Sequence, residues 1–319
     1  MNIDDIKNKT YGAIFGLLIG DAVGVPYEFK DASQIDLSSI DIHPKNLKNK
    51  TYSHIPFGTW SDDGAQSLIL LSSLLDNQKL DLIDILNRLV KWLDDGYMSI
   101  NNNTFDVGIQ TALAINKYKR FGILEIEEIP NEFENGNGSL MRCLPLVLWH
   151  QGSNEDLVSL AHQQSLITHP HIRSQVCCAW YCLIARNIFL SQDITSAIEH
   201  AKETIQIIYT QENNHDALNE LEKNVFSYDL NDCHGSGYVV DSLMTSLLCL
   251  QEDSYSNVIK KAVSFGNDTD TTACIAGGLA GIRFGMNGIP SDWILKLLGH
   301  EIIDPLLLKL SDHILQNCH

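Results

Sequence analysis

The chain has 319 residues, 44% hydrophobic and 19% charged, with a formal net charge of -18. That length and composition suit a single helical domain with a large core. The acidic balance argues against nucleic acid or an anionic membrane surface as the principal partner, because like charges repel. The start, "MNIDDIKNKT", is polar and acidic where a secretory signal would be basic and then apolar, so a cytoplasmic location is expected.

From the N-terminus, "YGAIFGLLIG" reads as an apolar helix that stops at Asp21, too short to span a bilayer. The polar segment from about 31 to 57 has no periodicity and is expected to be a surface loop that could border a site. "LDLIDILNRLVKWLDDG" carries apolar residues at the three-and-four spacing of one helix face, with Gly96 placed to end it. "TFDVGIQTALAINKYKRFG", "SNEDLVSLAHQQSLITHP", "HIRSQVCCAWYCLIARNIFL" and "NHDALNELEKNVFSY" follow the same pattern, as do "SGYVVDSLMTSLLCLQ" and "WILKLLGHEIIDPLLLKLSDHILQ". Strand-type alternation is hardly seen and no linker or repeat divides the chain. These patterns predict an all-α fold of roughly a dozen helices in one domain over residues 1–319. The eight cysteines form no C-x-x-C pair and mostly lie in apolar helical runs, so buried free thiols are expected.

Four stretches break the helical pattern with residues that a core disfavours. "GLLIGDAVGVPYEFK" runs an apolar helix into Asp21 and then Glu28. "GTWSDDGAQSL" contains Ser61, Asp62 and Asp63; "ENGNGSLMRCLPL" places a glycine-rich turn before a helix containing Arg142; "GNDTDTTACIAGGLAGIRFG" holds Asp268, Asp270 and Thr271. Carboxylates and hydroxyls without nearby His or Cys are hard oxygen donors suited to Mg²⁺, Mn²⁺ or Ca²⁺. Each acidic pair also lies at a predicted helix start, where capping by Ser61, Asp62, Asp268 or Thr269 would account for one or two such residues. If the fold brings both clusters together, four carboxylates would repel one another unless cations neutralised them. The stripe Ala273, Ala276, Gly277, Ala280 and Gly281 is expected to be a close helix-packing surface. "NGNGS" could present free backbone N–H groups to phosphate oxygens or form an ordinary turn and cap. Arg142 could pair with a pyrophosphate or with site carboxylates, but an internal salt bridge is expected.

The ordered set "GAIFGLLIGDAVGVPYEF", "GTWSDDGAQSL", "FDVGIQT", "NGNGSLMRCLPL", "TH", "SGYVVDSL" and "GNDTDTTACIAGGLAGIRFG" resembles the ADP-ribosylglycohydrolase family over residues 11 to about 285. The resemblance implies a compact all-α domain with two Mg²⁺ or Mn²⁺ ions in a cleft. It also implies hydrolysis of the bond linking ADP-ribose to an acceptor, most simply a protein arginine. By position, Ser61, Asp62, Asp63, Asp268, Asp270 and Thr271 match the family's metal ligands. Glu28 and Asp106 match acidic residues to which proton transfer at C1″ would fall, with metal-bound water the competing nucleophile. Gly136, Asn137, Gly138 and Ser139 match the loop that contacts ribose and pyrophosphate, His169 the family's T-H histidine, and Tyr238 an aromatic that can stack on adenine. Ser61 stands where the family usually has Thr. Gly64 also stands where Thr is common, which would remove a hydroxyl beside the ligands and leave room for an inactive ADP-ribose-binding module. An O-linked or other ADP-ribose conjugate is the alternative substrate. The expected partners are an ADP-ribosylated protein or ADP-ribose itself, with no nucleic acid and no membrane, and the chain is expected to act as a monomer.

Overall fold

Gly12, Gly16, Gly20 and Gly24, spaced four apart on one helix face, decide how the molecule is assembled. A β-carbon at Gly20 would lie 2.1 Å from the carbonyl oxygen of Ala273, and one at Gly16 would lie 2.4 Å from that of Gly277. Only a helix without side chains on this face admits so close a neighbour. The pairs run Gly12 to Gly281, Gly16 to Gly277 and Gly20 to Ala273, so the two helices are antiparallel.

The computed structural model describes residues 2–45, 47, 49–122, 124, 131 and 134–317. Among the described residues the chain forms fourteen α-helices and no strand beyond isolated bridges. The first four are α1 (Ile3–Gly24), α2 (Asp62–Asn77), α3 (Leu82–Asp95) and α4 (Ile109–Phe121). Then come α5 (Leu144–Trp149), α6 (Asn154–Leu166), α7 (Ile172–Phe189), α8 (Ile194–Gln211) and α9 (His215–Glu220). The last five are α10 (Val239–Cys249), α11 (Tyr255–Ser264), α12 (Thr269–Phe284), α13 (Ser291–Lys296) and α14 (His300–Asn317). None of them is long and apolar enough to cross a membrane.

The glycine face of α1 lies against the small-residue stripe of α12, with Tyr255 of α11 donating its hydroxyl to Gly16 O at 2.7 Å. The stripe is therefore a packing surface, and α7, buried along most of its length, closes the core beside it. The outer helices are amphipathic. α3 buries Ile85, Leu86, Leu89 and Trp92, is capped by Asp81 and ends where Gly96 adopts φ +70. Burial of each such side chain contributes roughly 1.5–3 kcal/mol.

Two expectations are corrected. The run from Trp293 onward reads as one helix but breaks into α13 and α14 at Gly299, whose φ of +79 no helix accommodates. The break exists because Trp60 and Ile100 crowd that position; a β-carbon on Gly299 would fall 2.2 Å from the Trp60 ring. The 31–57 segment, expected as a surface loop, also contributes to the core. It buries Ile35, Ile40, Ile42 and Ile55, and it is tied to the site by Thr51, whose hydroxyl donates to Glu28 O at 2.6 Å. Seven cysteines are free, Cys233 half-buried and the others buried, as expected for thiols used as small hydrophobes. Cys318 lies outside the described residues.

Candidate active site

The close approach of α1 and α12 brings the C-terminal end of one against the N-terminal end of the other. Gly24 O accepts from the Thr269 hydroxyl at 2.9 Å, which places Glu28 beside Asp268 and Asp270. Asp21, fully buried near the end of α1, fastens α2 to the same place. Its carboxylate accepts from Ser61 N at 2.9 Å and Gly64 N at 2.8 Å, so the turn carrying Asp62 and Asp63 is held to α1.

At the start of α2 the capping reading holds, since Ser61 Oγ accepts from Asp63 N at 3.3 Å. At α12 it fails. Asp268 occupies the cap position without a capping bond and accepts instead from Asn137 Nδ2 at 2.7 Å. The clusters meet through Asp63 Oδ2, which accepts from Ser61 Oγ at 3.0 Å and from Thr271 Oγ1 at 3.3 Å. Carboxylate oxygens of Glu28, Asp268 and Asp270 all lie within 4.8 Å of one another. Asp62 stands at the side of this group, its Oδ2 accepting from Gln66 Nε2 at 3.0 Å.

So many acids in one place are electrostatically costly. Burial first, then repulsion by Asp106 and Asp268, pushes Glu28 up to about 10. Asp21 rises to about 7, chiefly by burial. Burial, reinforced by neighbouring carboxylates, also drives Asp62, Asp63 and Asp270 well above the ordinary range. Asp63 Oδ1, Asp270 Oδ2 and Glu28 Oε2 are buried without a hydrogen-bond partner among the described residues. Orphaned hard oxygens of this kind fit a divalent cation, which would satisfy them and neutralise the repulsion.

Above the carboxylates opens a cavity of about 1100 Å³. Glu28, Asp62, Asp106, Asp268 and Thr271 line it. So do Gly136, Asn137, Gly138, His169 and Tyr238. Ser61, Asp63, Asp270 and Ser139 lie outside this lining. Ser139 is fully buried, its Oγ accepting from Ser165 Oγ at 2.8 Å, so its hydroxyl is turned to the protein and not to a ligand. The glycine-rich loop is built on the segment before α10, with Asn137 N donating to Gly237 O at 3.1 Å and Val239 N to Asn135 O at 3.0 Å. A β-carbon on Gly138 would strike His169 at 2.6 Å, so the loop lies directly on the imidazole. Burial lowers His169 to about 3, leaving it neutral at physiological pH. Tyr238 is half-buried with the Arg173 guanidinium 5.8 Å from its ring centre. Asp106 sits in the turn before α4 at φ +54 and accepts from the Tyr52 hydroxyl at 2.8 Å.

Two sequence readings change. Arg142 forms no ion pair among the described residues; its donors go to Gln66 and Gln164, both neutral. At Gly64, where the loss of a hydroxyl beside the ligands is expected, there is little room for a side chain of any kind. A β-carbon there would point at Trp60 and Leu18, 2.7 and 2.8 Å away, because α2 packs into the core at that position. Sequence reasoning also left Asp21, Tyr52, Gln66 and Gln164 without a role at the site. Of these, only Asp21 carried a local signal, an acid closing an apolar run.

The ADP-ribosylglycohydrolase family model matches residues 2–319. The chain is 28% identical over 293 residues to the ADP-ribosyl-[dinitrogen reductase] glycohydrolase of Rhodospirillum rubrum, covering 92% of this chain and 91% of that protein. It is 26% identical over 313 residues to the ADP-ribosylarginine hydrolase Tri1 of Pseudomonas putida, covering 96% and 78%. A solved structure described as an ADP-ribosylglycohydrolase-related protein complex superposes with a TM-score of 0.76 at 25% identity, over 97% of this chain and 99% of that one. With the family matched along essentially its whole length and the helical fold shared, the chain is an enzyme of the ADP-ribosylglycohydrolase family.

Proposed function

We propose that the enzyme hydrolyses the glycosidic bond between ADP-ribose and a protein arginine, with two Mg²⁺ or Mn²⁺ ions held by the carboxylate cluster. The observation that carries this reading is the set of orphaned buried oxygens on Glu28, Asp63 and Asp270 beneath a cavity walled by the glycine-rich loop. Arginine is favoured because the Pseudomonas putida relative is named an ADP-ribosylarginine hydrolase. Glu28, Asp268 and Asp270 would hold one ion, and Asp62, Asp63, Ser61 and Thr271 the other. Bound there, the ions supply fixed positive charge that holds the ribose hydroxyls and polarises the reacting centre.

The chain's own groups supply the rest. No Lys or Arg is among the described cavity-lining residues, so a pyrophosphate would be met by backbone donors. The N–H of Gly138, on the cavity wall, has no acceptor among the described residues and fits that task. Neutral His169 fixes the loop from below, and Tyr238 offers a ring face to the adenine. Cleavage of the C1″–N bond gives an oxocarbenium-like centre and a departing guanidine. Asp106, half-buried on the cavity wall, takes the proton from the attacking water and delivers it to that guanidine, so charge and protons balance.

The test is release of free ADP-ribose from an arginine-ADP-ribosylated protein with Mg²⁺, with Mn²⁺ and with chelator, using Asp268→Ala as control. Metal-dependent release that the variant loses is expected. Release from a serine-linked substrate alone would overturn the arginine assignment.

A further inference from the structure

Behind the carboxylates lies a guanidinium with every nitrogen engaged. Arg142, 1% exposed, donates from Nε to Gln164 Oε1 at 3.0 Å, from Nη2 to Gln164 O at 2.8 Å, and from Nη1 to Gln66 Oε1 at 3.0 Å. Both glutamines are 0% exposed. A guanidinium can only donate, so each glutamine must turn its oxygen toward Arg142 and its amide nitrogen away. The two nitrogens then reach different parts of the site. Gln66 Nε2 donates to Asp62 Oδ2 at 3.0 Å, and Gln164 Nε2 donates to Ser139 O at 3.0 Å.

We propose that Arg142 is a positioning residue which, through Gln66 and Gln164, fixes Asp62 and the 136–139 loop relative to each other. The inference rests on the reading of Asp62 as a cation ligand and of the loop as an ADP-ribose contact. A direct ion pair with Asp62 would orient one carboxylate only. The planar fork, by setting the polarity of two amides at once, orients a carboxylate and a loop carbonyl together. Lysine keeps the charge but is a compact donor without the fork, so Arg142→Lys should lose this function.

The test separates the two arms. Mn²⁺ affinity is measured by electron paramagnetic resonance, and ADP-ribose affinity by calorimetry at saturating Mn²⁺. Gln66→Met keeps the shape and removes the donor to Asp62; its Kd for Mn²⁺ should rise about tenfold or more. Gln164→Met should raise the Kd for ADP-ribose about fivefold while leaving Mn²⁺ binding within about twofold of wild type. Arg142→Lys should show both losses. If the two glutamine variants fold and bind both ligands as the wild type does, the proposal is wrong. It is equally wrong if both variants weaken both ligands alike in step with a lowered melting temperature, because that is general destabilisation. A wild-type chain that binds no Mn²⁺ would overturn the reading of the site itself, an outcome distinct from unchanged variants of a chain that does bind it.

Discussion

The hydroxyl of Thr271 donates to Asp63 Oδ2 at 3.3 Å, joining residues 208 positions apart. That contact makes the two acidic segments one centre, and capping of two separate helices does not account for it. Asp62→Ala and Asp268→Ala should therefore lose divalent-cation binding and activity while keeping a helical circular dichroism spectrum. Each also removes one charge from a cluster that repels itself. With chelator present, both variants should melt no lower than the chelated wild type. Metal-dependent activity surviving in either variant would refute the centre.

The same repulsion gives an unusual pH dependence. Asp21 and Glu28 are pushed up to about 7 and about 10, chiefly by burial, whereas unfolded carboxylates titrate near pH ~4. The folded state thus binds protons more tightly than the unfolded one, and stability falls as pH rises from about 4 through about 7 and toward about 10. Exposed acids such as Asp31 and Asp193, held low by hydrogen bonds from Ser33 and Ser196, act in the opposite sense only below about pH 4. His162 and His169, lowered to about 4 and about 3 chiefly by burial, do so below about pH 6.5, but the raised carboxylates Asp21, Glu28, Asp62, Asp63 and Asp270 outnumber these two imidazoles. Metal-free protein should melt higher at about pH 5.5 than at about pH 8. Mg²⁺ at a hundredfold excess over its Kd should add about 2.7 kcal/mol and do so most effectively at the higher pH. Differential scanning fluorimetry with and without chelator decides it; a metal-free protein more stable at the higher pH would contradict the assigned shifts.

Legibility in the sequence follows how local each cause is. Asp62 and Asp268 stand out because carboxylates abut apolar runs, and the helix over Leu82–Asp95 because its period and Gly96 are both local. Gln66 and Gln164 are invisible by the same logic. A glutamine within a helical period reads as a surface position, and only tertiary contact with Arg142 shows that both are buried. Arg142 departs from the ion pair that a buried cation suggests, because neutral amides lie between it and the acids. Gly64 and Gly299 share another cause. Each answers to Trp60, which no spacing along the chain reveals.

Gly20→Ala tests the helix contact that carries the site. The new methyl would meet the backbone oxygen of Ala273 at 2.1 Å, and a backbone atom cannot turn aside as a side chain can. Overpacking costs about 1–3 kcal/mol, and this substitution should reach the upper end or exceed it. Because α12 presents Asp268 and Asp270, Mn²⁺ affinity should fall along with the melting temperature. Loss of stability with unchanged affinity would show that the ligands do not depend on this packing.

The net charge of -18 bears on the choice of acceptor. An acidic enzyme attracts a modified residue presented on a basic surface, and the attraction is screened by salt. For such a substrate kcat/KM should fall as ionic strength rises from about 0.01 to 0.15 M, while a small ADP-ribosylated arginine compound should respond much less. Equal salt dependence for both would remove steering as a source of selectivity.

Asp106 allows chemistry to be separated from structure. Its φ of +54 lies in the left-handed region, which asparagine tolerates better than alanine, and Oδ1 already accepts from the Tyr52 hydroxyl. Asp106→Asn therefore retains the backbone preference and the acceptor while abolishing the ability to take a proton, whereas Asp106→Ala adds strain and frees Tyr52. If Asp106 accepts the proton from water, the asparagine variant should lose about 10²- to 10⁴-fold in kcat with KM and Mn²⁺ affinity close to wild type. Asp106→Ala should in addition melt at a lower temperature. An asparagine variant whose kcat stays within about tenfold of wild type would move the base to another group, and Glu28, which also lines the cavity, would be the next to replace.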